Sequence, residues 1–123
     1  MMSTRKPTCQ DSATTLCLQQ SRFRVTVDWV DFESTGSGSV VNPGNGGGVF
    51  YFFDTNNWEM LVRVIDGCGS FNDRFWVFAA ATTNVEYELR VTDTVTGQER
   101  LYTNPLGQDA PAILDTSAFA TCD

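Results

Sequence analysis

The clearest alternation of apolar and polar residues runs through residues 16–32, in the segment LCLQQSRFRVTVDWVDF. One face of this segment carries large apolar side chains, namely those of Phe23, Val25, Val27 and Trp29. The opposite face carries Arg22, Arg24, Thr26 and Asp28. Successive side chains of a strand point to opposite faces of its sheet. The segment therefore predicts one long strand with a single wet face.

Further apolar segments follow at intervals of about ten residues, with turn residues between them. They predict strands at residues 49–53, 60–65, 75–81, 85–93 and 99–103, and a short additional strand at 39–41 within a glycine-rich connection. The last two long strands form a hairpin with Gly97 in its turn. Because no helical period accompanies these strands, we expect an all-β fold. The predicted architecture is an antiparallel β-sandwich, Ig-like or jelly-roll-like, with about seven strands.

The two ends of the chain lack this regular pattern. Residues 1–15 are polar and rich in Ser and Thr, which predicts a flexible lead-in to a single domain over residues 16–123. The final segment, NPLGQDAPAILDTSAFATC, is predicted to be a loop with room for one helical turn at its end. Asp115 or Thr116 is the expected cap of that turn.

The strands at 49–53, 60–65 and 75–81 are apolar on both faces, whereas a sandwich core buries only one face. We expect the C-terminal segment to pack over the second face, since it holds apolar residues without a strand of their own. These are Pro105, Leu106, Pro111, Ile113, Leu114 and Phe119. A neighbouring domain or subunit is one alternative cover. The other is a ligand platform of Tyr51, Trp58 and Trp76, because exposed aromatic rings stack on sugars in carbohydrate-binding sandwiches.

The charge balance narrows the classes of partner. Eight Lys and Arg residues stand against fifteen Asp and Glu residues, which leaves a net charge of -7. This charge repels phosphate backbones and anionic lipids, so nucleic acid is excluded as an expected partner. No apolar run reaches the roughly 18 residues of a membrane helix, and we expect no membrane insertion.

The four cysteines indicate the compartment. Cys9, Cys17, Cys68 and Cys122 are widely spaced, and the chain has no His with which to complete a zinc site. Their even number predicts two disulfides and an oxidising environment. Among the three pairings that four cysteines allow, we expect Cys9–Cys122 and Cys17–Cys68, since the first pair brackets the domain. The N-terminus lacks the apolar stretch of a secretion signal, which predicts a fragment of a larger exported protein.

Candidate chemistry is limited to carboxylates. The absence of His excludes Ser-His-Asp, Cys-His and His-zinc mechanisms. Asp54 with Glu59, or Asp66 with Asp73, are the pairs from which a hydrolase could be built. Oxygens from Asp54, Asp66 and Asp73 in the loops DTNN and DGCGSFND also suit calcium. The simpler interpretation is that these acids stabilise turns.

Several strings resemble a domain of about a hundred residues that recurs in exported bacterial proteins, often as an appendage of larger chains. These strings are ATTLCL, FFDTNNWEMLVRVIDGCG, FWVFAAATTNVEYELRVTDTVTG, YTNPLG and DTSAFATC. The resemblance implies an exported β-domain, supplies no catalytic residue to carry over and leaves the activity open. We therefore predict a secreted, non-catalytic accessory or binding module for polysaccharide, protein or neighbouring domains, with calcium as the one candidate cofactor. The alternative is a carboxylate-dependent or calcium-dependent hydrolase of an extracellular substrate.

Overall fold

The computed structural model describes residues 6–41, 43–70 and 72–122, which form two antiparallel sheets packed face to face. The strands are β1 (Leu16–Leu18), β2 (Phe23–Val30), β3 (Thr35–Ser37), β4 (Ser39–Val41), β5 (Gly47–Tyr51), β6 (Trp58–Gly67), β7 (Arg74–Ala81), β8 (Glu86–Asp93), β9 (Glu99–Asn104) and β10 (Ile113–Phe119). The first sheet has the order β1-β2-β8-β9, with β3 also beside β2. The second has the order β10-β7-β6-β5-β4. The fold is the predicted all-β sandwich, with ten strands among the described residues.

The β8–β9 hairpin confirms the prediction closely. Tyr87 pairs with Asn104 and Thr92 with Glu99, so the two strands are in register over their whole length. Gly97 has a φ of 82°, a left-handed conformation that glycine adopts without strain. The turn and the alternation are both local features, and the sequence pattern was sufficient for them.

The predicted long strand at residues 16–32 is wrong, because the chain reverses within it. Leu18 pairs with Phe23, so β1 and β2 are antiparallel neighbours in one sheet. Gln19, Gln20 and Ser21 connect them, all with positive φ values of 55° to 62°. Such values are uncommon outside glycine, and nothing in these residue types predicts a turn.

The core lies between the two sheets and consists of the alternate residues of their inner faces. Its largest fully buried side chains include Phe23, Phe50, Phe119, Leu16, Leu18, Met60 and Leu89. The ring centroid of Phe23 lies 4.8 Å from that of Phe75 and 5.1 Å from that of Phe119. This cluster joins β2 of the first sheet to β7 and β10 of the second.

Residues 113–119 form strand β10, so the helical turn predicted there is wrong. Ile113 pairs with Ala79 and Leu114 with Phe78, which makes β10 the edge strand beside β7. Phe119 is buried in the core, whereas Leu114 is 71% exposed. The C-terminal segment therefore widens the second sheet and does not cover its outer face. The predicted cover is wrong because the open edge of β7 pairs with this segment through backbone hydrogen bonds.

Both disulfides form, but the predicted pairing is wrong: the bonds are Cys9–Cys17 and Cys68–Cys122. The second bond follows from the sheet order, since β6, β7 and β10 are neighbours and Cys68 and Cys122 follow β6 and β10. The first bond closes a short loop before β1. It ties residues 9–17 of the chain to the domain, including part of the predicted lead-in, while residues 1–5 lie outside the described residues.

The two disulfides indicate an oxidising, extracellular-type environment. Within the described part of the chain, no helix is long and apolar enough to cross a membrane.

Candidate functional site

The outer face of the second sheet, the side that points away from the core, is apolar and open to solvent. Its outward residues include Val41, Val49, Tyr51, Leu61, Ile65, Trp76, Phe78, Ala80 and Leu114. Leu61 is 44% exposed although it lies on the central strand β6. Monomeric proteins seldom expose contiguous apolar patches of this kind without a binding role.

Arg63 lies in the middle of this outer face, on the central strand. Its register partners are Phe78 on β7 and Gly47 on β5. A Cβ atom on Gly47 would lie 2.9 Å from Cγ of Arg63, so the arginine stem packs directly over the glycine. No described residue makes an ion pair or hydrogen bond with its guanidinium. A positive charge therefore lies unpaired on an apolar face of a protein whose net charge is -7.

The outer face of the first sheet is different in character. Its outward residues on β2 and β8 are mostly polar or charged, and include Arg24, Thr26, Asp28, Glu86, Glu88 and Arg90. Nε of Arg90 lies 3.0 Å from Oε1 of Glu99 in an exposed ion pair. One sheet therefore has an ordinary solvated surface, and the other has an apolar surface near whose centre lies Arg63, a cation that no described residue pairs.

The predicted aromatic platform is divided between two ends of this apolar face. Tyr51 and Trp58 are register partners at one end of β6. Trp76 pairs with Ile65 near the other end, roughly 20 Å away at about 3.3 Å per residue. The indole nitrogen of Trp76 donates to Oδ1 of Asn72 at 3.0 Å. The three rings do not form one continuous surface for a single sugar.

A cavity of about 480 Å³, here called the end pocket, opens where three connections meet at one end of the sandwich. These connections are β5–β6, β7–β8 and β9–β10. The polar lining residues are Asn57, Glu59, Thr82, Thr83, Asn84 and Asp109. Phe53 forms an aromatic wall, and no Lys or Arg is among the described lining residues.

Backbone hydrogen bonds tie the walls of the end pocket together. The Thr82 N–H donates to the Glu59 carbonyl at 2.9 Å, and the Ala110 N–H donates to the Thr83 carbonyl at 3.1 Å. The buried Asn104 amide donates to the Val85 carbonyl at 3.2 Å, which anchors the β9–β10 connection. The backbone of the pocket walls is therefore preformed, and exposed side chains such as Asn57, Asn84 and Asp109 project from it.

Glu59 is the most buried polar group of the end pocket, at 6% exposure. Nδ2 of Asn57 donates to its Oε2 at 3.1 Å. Burial raises the pKa of the Glu59 carboxyl, and a hydrogen bond from the Thr83 side chain offsets part of that rise. Asp109, which the sequence analysis did not single out, lines the same pocket from the β9–β10 connection.

The other predicted acids are divided between the two ends of β6 and serve turns. Oδ1 of Asp54 accepts the Asn56 N–H at 2.9 Å, beside the end pocket. At the opposite end, Oδ1 of Asp66 accepts the Cys68 N–H and Oδ1 of Asp73 accepts the Gly69 N–H. Calcium binding stays a prediction, and of the three proposed ligands only Asp66 and Asp73 lie at the same turn.

Comparison with known proteins finds no matching family, no matching curated protein and no matching solved structure. A sandwich fold by itself does not define an activity.

Proposed function

We propose that this chain is a secreted, non-catalytic binding module that docks through the outer face of its second sheet. Its partner is a protein surface that is apolar and carries a carboxylate. The observation that carries this proposal is the unpaired guanidinium of Arg63, centred among exposed apolar side chains. An arginine fork binds a carboxylate through two parallel hydrogen bonds, and this bond strengthens when water leaves the interface.

A second copy of the chain is the less favourable occupant. Many homodimers are two-fold symmetric, and a face-to-face pair centred on β6 would bring the two Arg63 side chains close together. Glu59 is buried, and Asp115 accepts the hydroxyl of Tyr102 from the other sheet at 2.7 Å. Neither carboxylate lies on the outer face beside Arg63, whereas a different protein can supply the missing charge there.

The size of the face also limits the kind of partner. Five strands spaced by about 4.8 Å, with a mean length of about seven residues, present roughly 500 Å² in projection. A stable complex between separate proteins buries about 800 Å² on each side. The surface therefore suits a transient partner or a neighbouring domain of the same exported polypeptide, which a covalent link holds nearby.

The remaining parts of the proposal have separate support. Two disulfides favour secretion, as does the resemblance to a domain of exported bacterial proteins. Asp54, Asp66 and Asp73 stabilise turns, so three of the four acids that the sequence offered to a carboxylate hydrolase already have structural roles. Glu59 and Asp109 do line one pocket, and a turnover test with Glu59→Gln decides between the two functions.

Matched variants on the two sheets test the docking surface. Leu61→Asp and Leu101→Asp alter leucines of nearly equal exposure, 44% and 47%, on the second and first sheets respectively. Arg63→Glu has Arg24→Glu as its counterpart on the first sheet. A photo-crosslinking residue at position 114 identifies the partner among the exported proteins of the same cell, and position 101 is the control.

We expect Leu61→Asp and Arg63→Glu to abolish cross-linking, and the two first-sheet variants to retain it. Reversing the charge of the contacting acid on the partner should restore cross-linking to Arg63→Glu. Equal losses of cross-linking for the variants of both sheets would contradict the proposal. So would a dimer of the isolated chain in sedimentation equilibrium, or turnover of an extracellular substrate that Glu59→Gln abolishes.

A further inference from the structure

The end pocket is a second binding site, distinct from the outer face, and we infer that its ligand is a neutral sugar ring. The inference rests on the shape of the pocket, on its hydrogen-bonding groups and on the fixed ring of Phe53. It does not depend on the protein partner proposed above, because the pocket opens at the end of the sandwich.

The pocket has the size and rigidity of a ligand site. Its volume of about 480 Å³ falls within the range of about 300–1,000 Å³ that small-molecule sites occupy. In addition to the wall contacts described above, the Gly107 N–H donates to the Asn84 carbonyl at 2.8 Å. A ligand therefore meets walls that are already ordered and loses little affinity to rearrangement.

The polar lining groups match a ligand rich in hydroxyl groups. The exposed Asp109 supplies a carboxylate acceptor, and the Asn57 and Asn84 amides supply both acceptors and donors. Sugar hydroxyls can donate to this carboxylate and accept from the amides. An anionic ligand such as a phosphate would be repelled, since the two charged lining residues described are both acids.

Phe53 supplies the apolar wall that a sugar ring needs. Its ring centroid lies 4.6 Å from that of Trp29, with the rings at 60°. Trp29 is fixed in turn, because a Cβ on Gly36 would lie 2.8 Å from Cζ2 of the indole. Phe53 is nevertheless half-exposed, so part of the ring is open to the apolar C–H groups of a sugar.

A small cation is the competing ligand, because two acids line the pocket. Glu59 is almost fully buried and already accepts from Asn57, so an ammonium would have to lose its water to reach it. Phe53 is the single aromatic side chain among the described lining residues, whereas cation sites commonly use a cage of rings. The neutral ligand is therefore the better match.

Backbone-amide NMR and calorimetry with the whole chain test the inference. The probes are cellohexaose, chitohexaose, and neutral mannan and galactan oligomers, with cadaverine as the cationic probe. Phe53→Ala and Asp109→Asn alter the pocket. Trp58→Ala is the control, since Trp58 is an exposed aromatic residue next to the pocket that does not line it.

We expect at least one saccharide to shift the amide signals of residues 82–85 and 109–110, with an affinity that is the same at low and high salt. Phe53→Ala should weaken it roughly tenfold, and Trp58→Ala should leave it unchanged. Asp109→Asn tests the pocket without altering its buried wall. Arg63→Glu should also leave saccharide binding unchanged, so failure of the docking proposal is distinguishable from failure of this one.

Three results would overturn the inference. The first is that none of the saccharides shifts these signals. The second is that the shifts centre on Tyr51, Trp58 and Trp76 and that Trp58→Ala abolishes them, which would assign the sugar to the outer face. The third is that cadaverine binds more tightly than every saccharide and loses affinity as salt is added, which would identify a cation site.

Discussion

Arg22 and Asp93 form a two-bonded ion pair, with Nε to Oδ1 and Nη2 to Oδ2 each at 3.0 Å. The Asp93 side chain is fully buried and that of Arg22 nearly so. Nη2 of Arg22 also donates to the Thr121 carbonyl at 2.8 Å, and the guanidinium lies over the ring of Phe75. This pair therefore joins β2, the end of β8 and the C-terminal segment.

Breaking this ion pair should destabilise the fold strongly. Asp93→Asn removes the charge opposite Arg22 and leaves a buried guanidinium unbalanced, which typically costs about 3–5 kcal/mol. Urea unfolding at neutral pH measures the loss. Glu99→Gln is the control, because it breaks the exposed Arg90–Glu99 pair, which is worth about 0–1 kcal/mol. Equal losses for the two variants would contradict this ranking.

The same pair should make the protein sensitive to acid. Burial by itself raises the pKa of Asp93, but hydrogen bonds and the charge of Arg22 outweigh it and leave the pKa lowered. Such a carboxylate stabilises the fold above its unfolded pKa of about 3.9, and the stabilisation is lost as the pH falls through the lower folded value. Melting temperatures of the wild type and Asp93→Asn should therefore converge in acid and diverge at neutral pH.

The contribution of Glu59 to stability should depend on pH in the opposite direction to that of Asp93. Because burial raises its pKa, its contribution to stability is present below the unfolded value of about 4.3 and is lost as the pH rises through the folded value. Glu59→Gln keeps an acceptor for Asn57 and removes the buried charge. We expect the variant to melt at a higher temperature than the wild type at pH 7, with little difference in acid. A lower melting temperature at pH 7 would show that the charge stabilises the fold.

The two disulfides should contribute different amounts to the stability of the fold. Cys68 and Cys122 are 54 residues apart, whereas Cys9 and Cys17 are 8 apart. Loop-closure entropy gives about 4 kcal/mol for the longer loop and about 2.5 kcal/mol for the shorter one. Paired Cys→Ser variants in urea unfolding measure this order. Mass mapping of non-reduced peptides checks the pairing, and a peptide that joins Cys17 to Cys68 would contradict it.

Variants at two residues of β10 distinguish an edge strand from a segment that covers the sheet. Phe119→Ala removes a ring from the core and should cost about 3–5 kcal/mol. Leu114→Ala alters an exposed residue of the same strand and should change the stability by about 0.5 kcal/mol or less. If both variants cost several kcal/mol, Leu114 is buried in solution and the segment covers the sheet after all.

Any calcium-dependent rise in the melting temperature should depend on Asp66 and Asp73 and not on Asp54. The first two carboxylates lie at the same turn, while Asp54 lies at the other end of β6. Melting curves of Asp66→Asn, Asp73→Asn and the control Asp54→Asn, each with calcium and with a chelator, check this. Equal melting temperatures for the wild type with calcium and with chelator would remove the site.

The sequence by itself determined the fold class, the β8–β9 hairpin and the strands β5, β6 and β7. Each of these depends on a period of two or on a local turn residue such as Gly97, and such features can be read within a few residues. The strands around Leu61 carry apolar residues at both odd and even positions, which also indicated correctly that one sheet has two apolar faces. The even number of cysteines predicted that both disulfides form.

Only the tertiary structure decided which remote segments of the chain are neighbours. The partner of Cys68 depends on β10 pairing with β7, and the weak alternation of ILDTSAF does not predict a strand. The turn before β2 depends on left-handed residues of ordinary types, and Asp109 lines the same pocket as Glu59 only because three distant connections meet. Pairing between remote segments depends on how much surface the whole chain buries, so no local window of sequence contains it. The exposure of Arg63 and Leu61 likewise became visible only once the C-terminal segment had taken its place at the edge of the sheet.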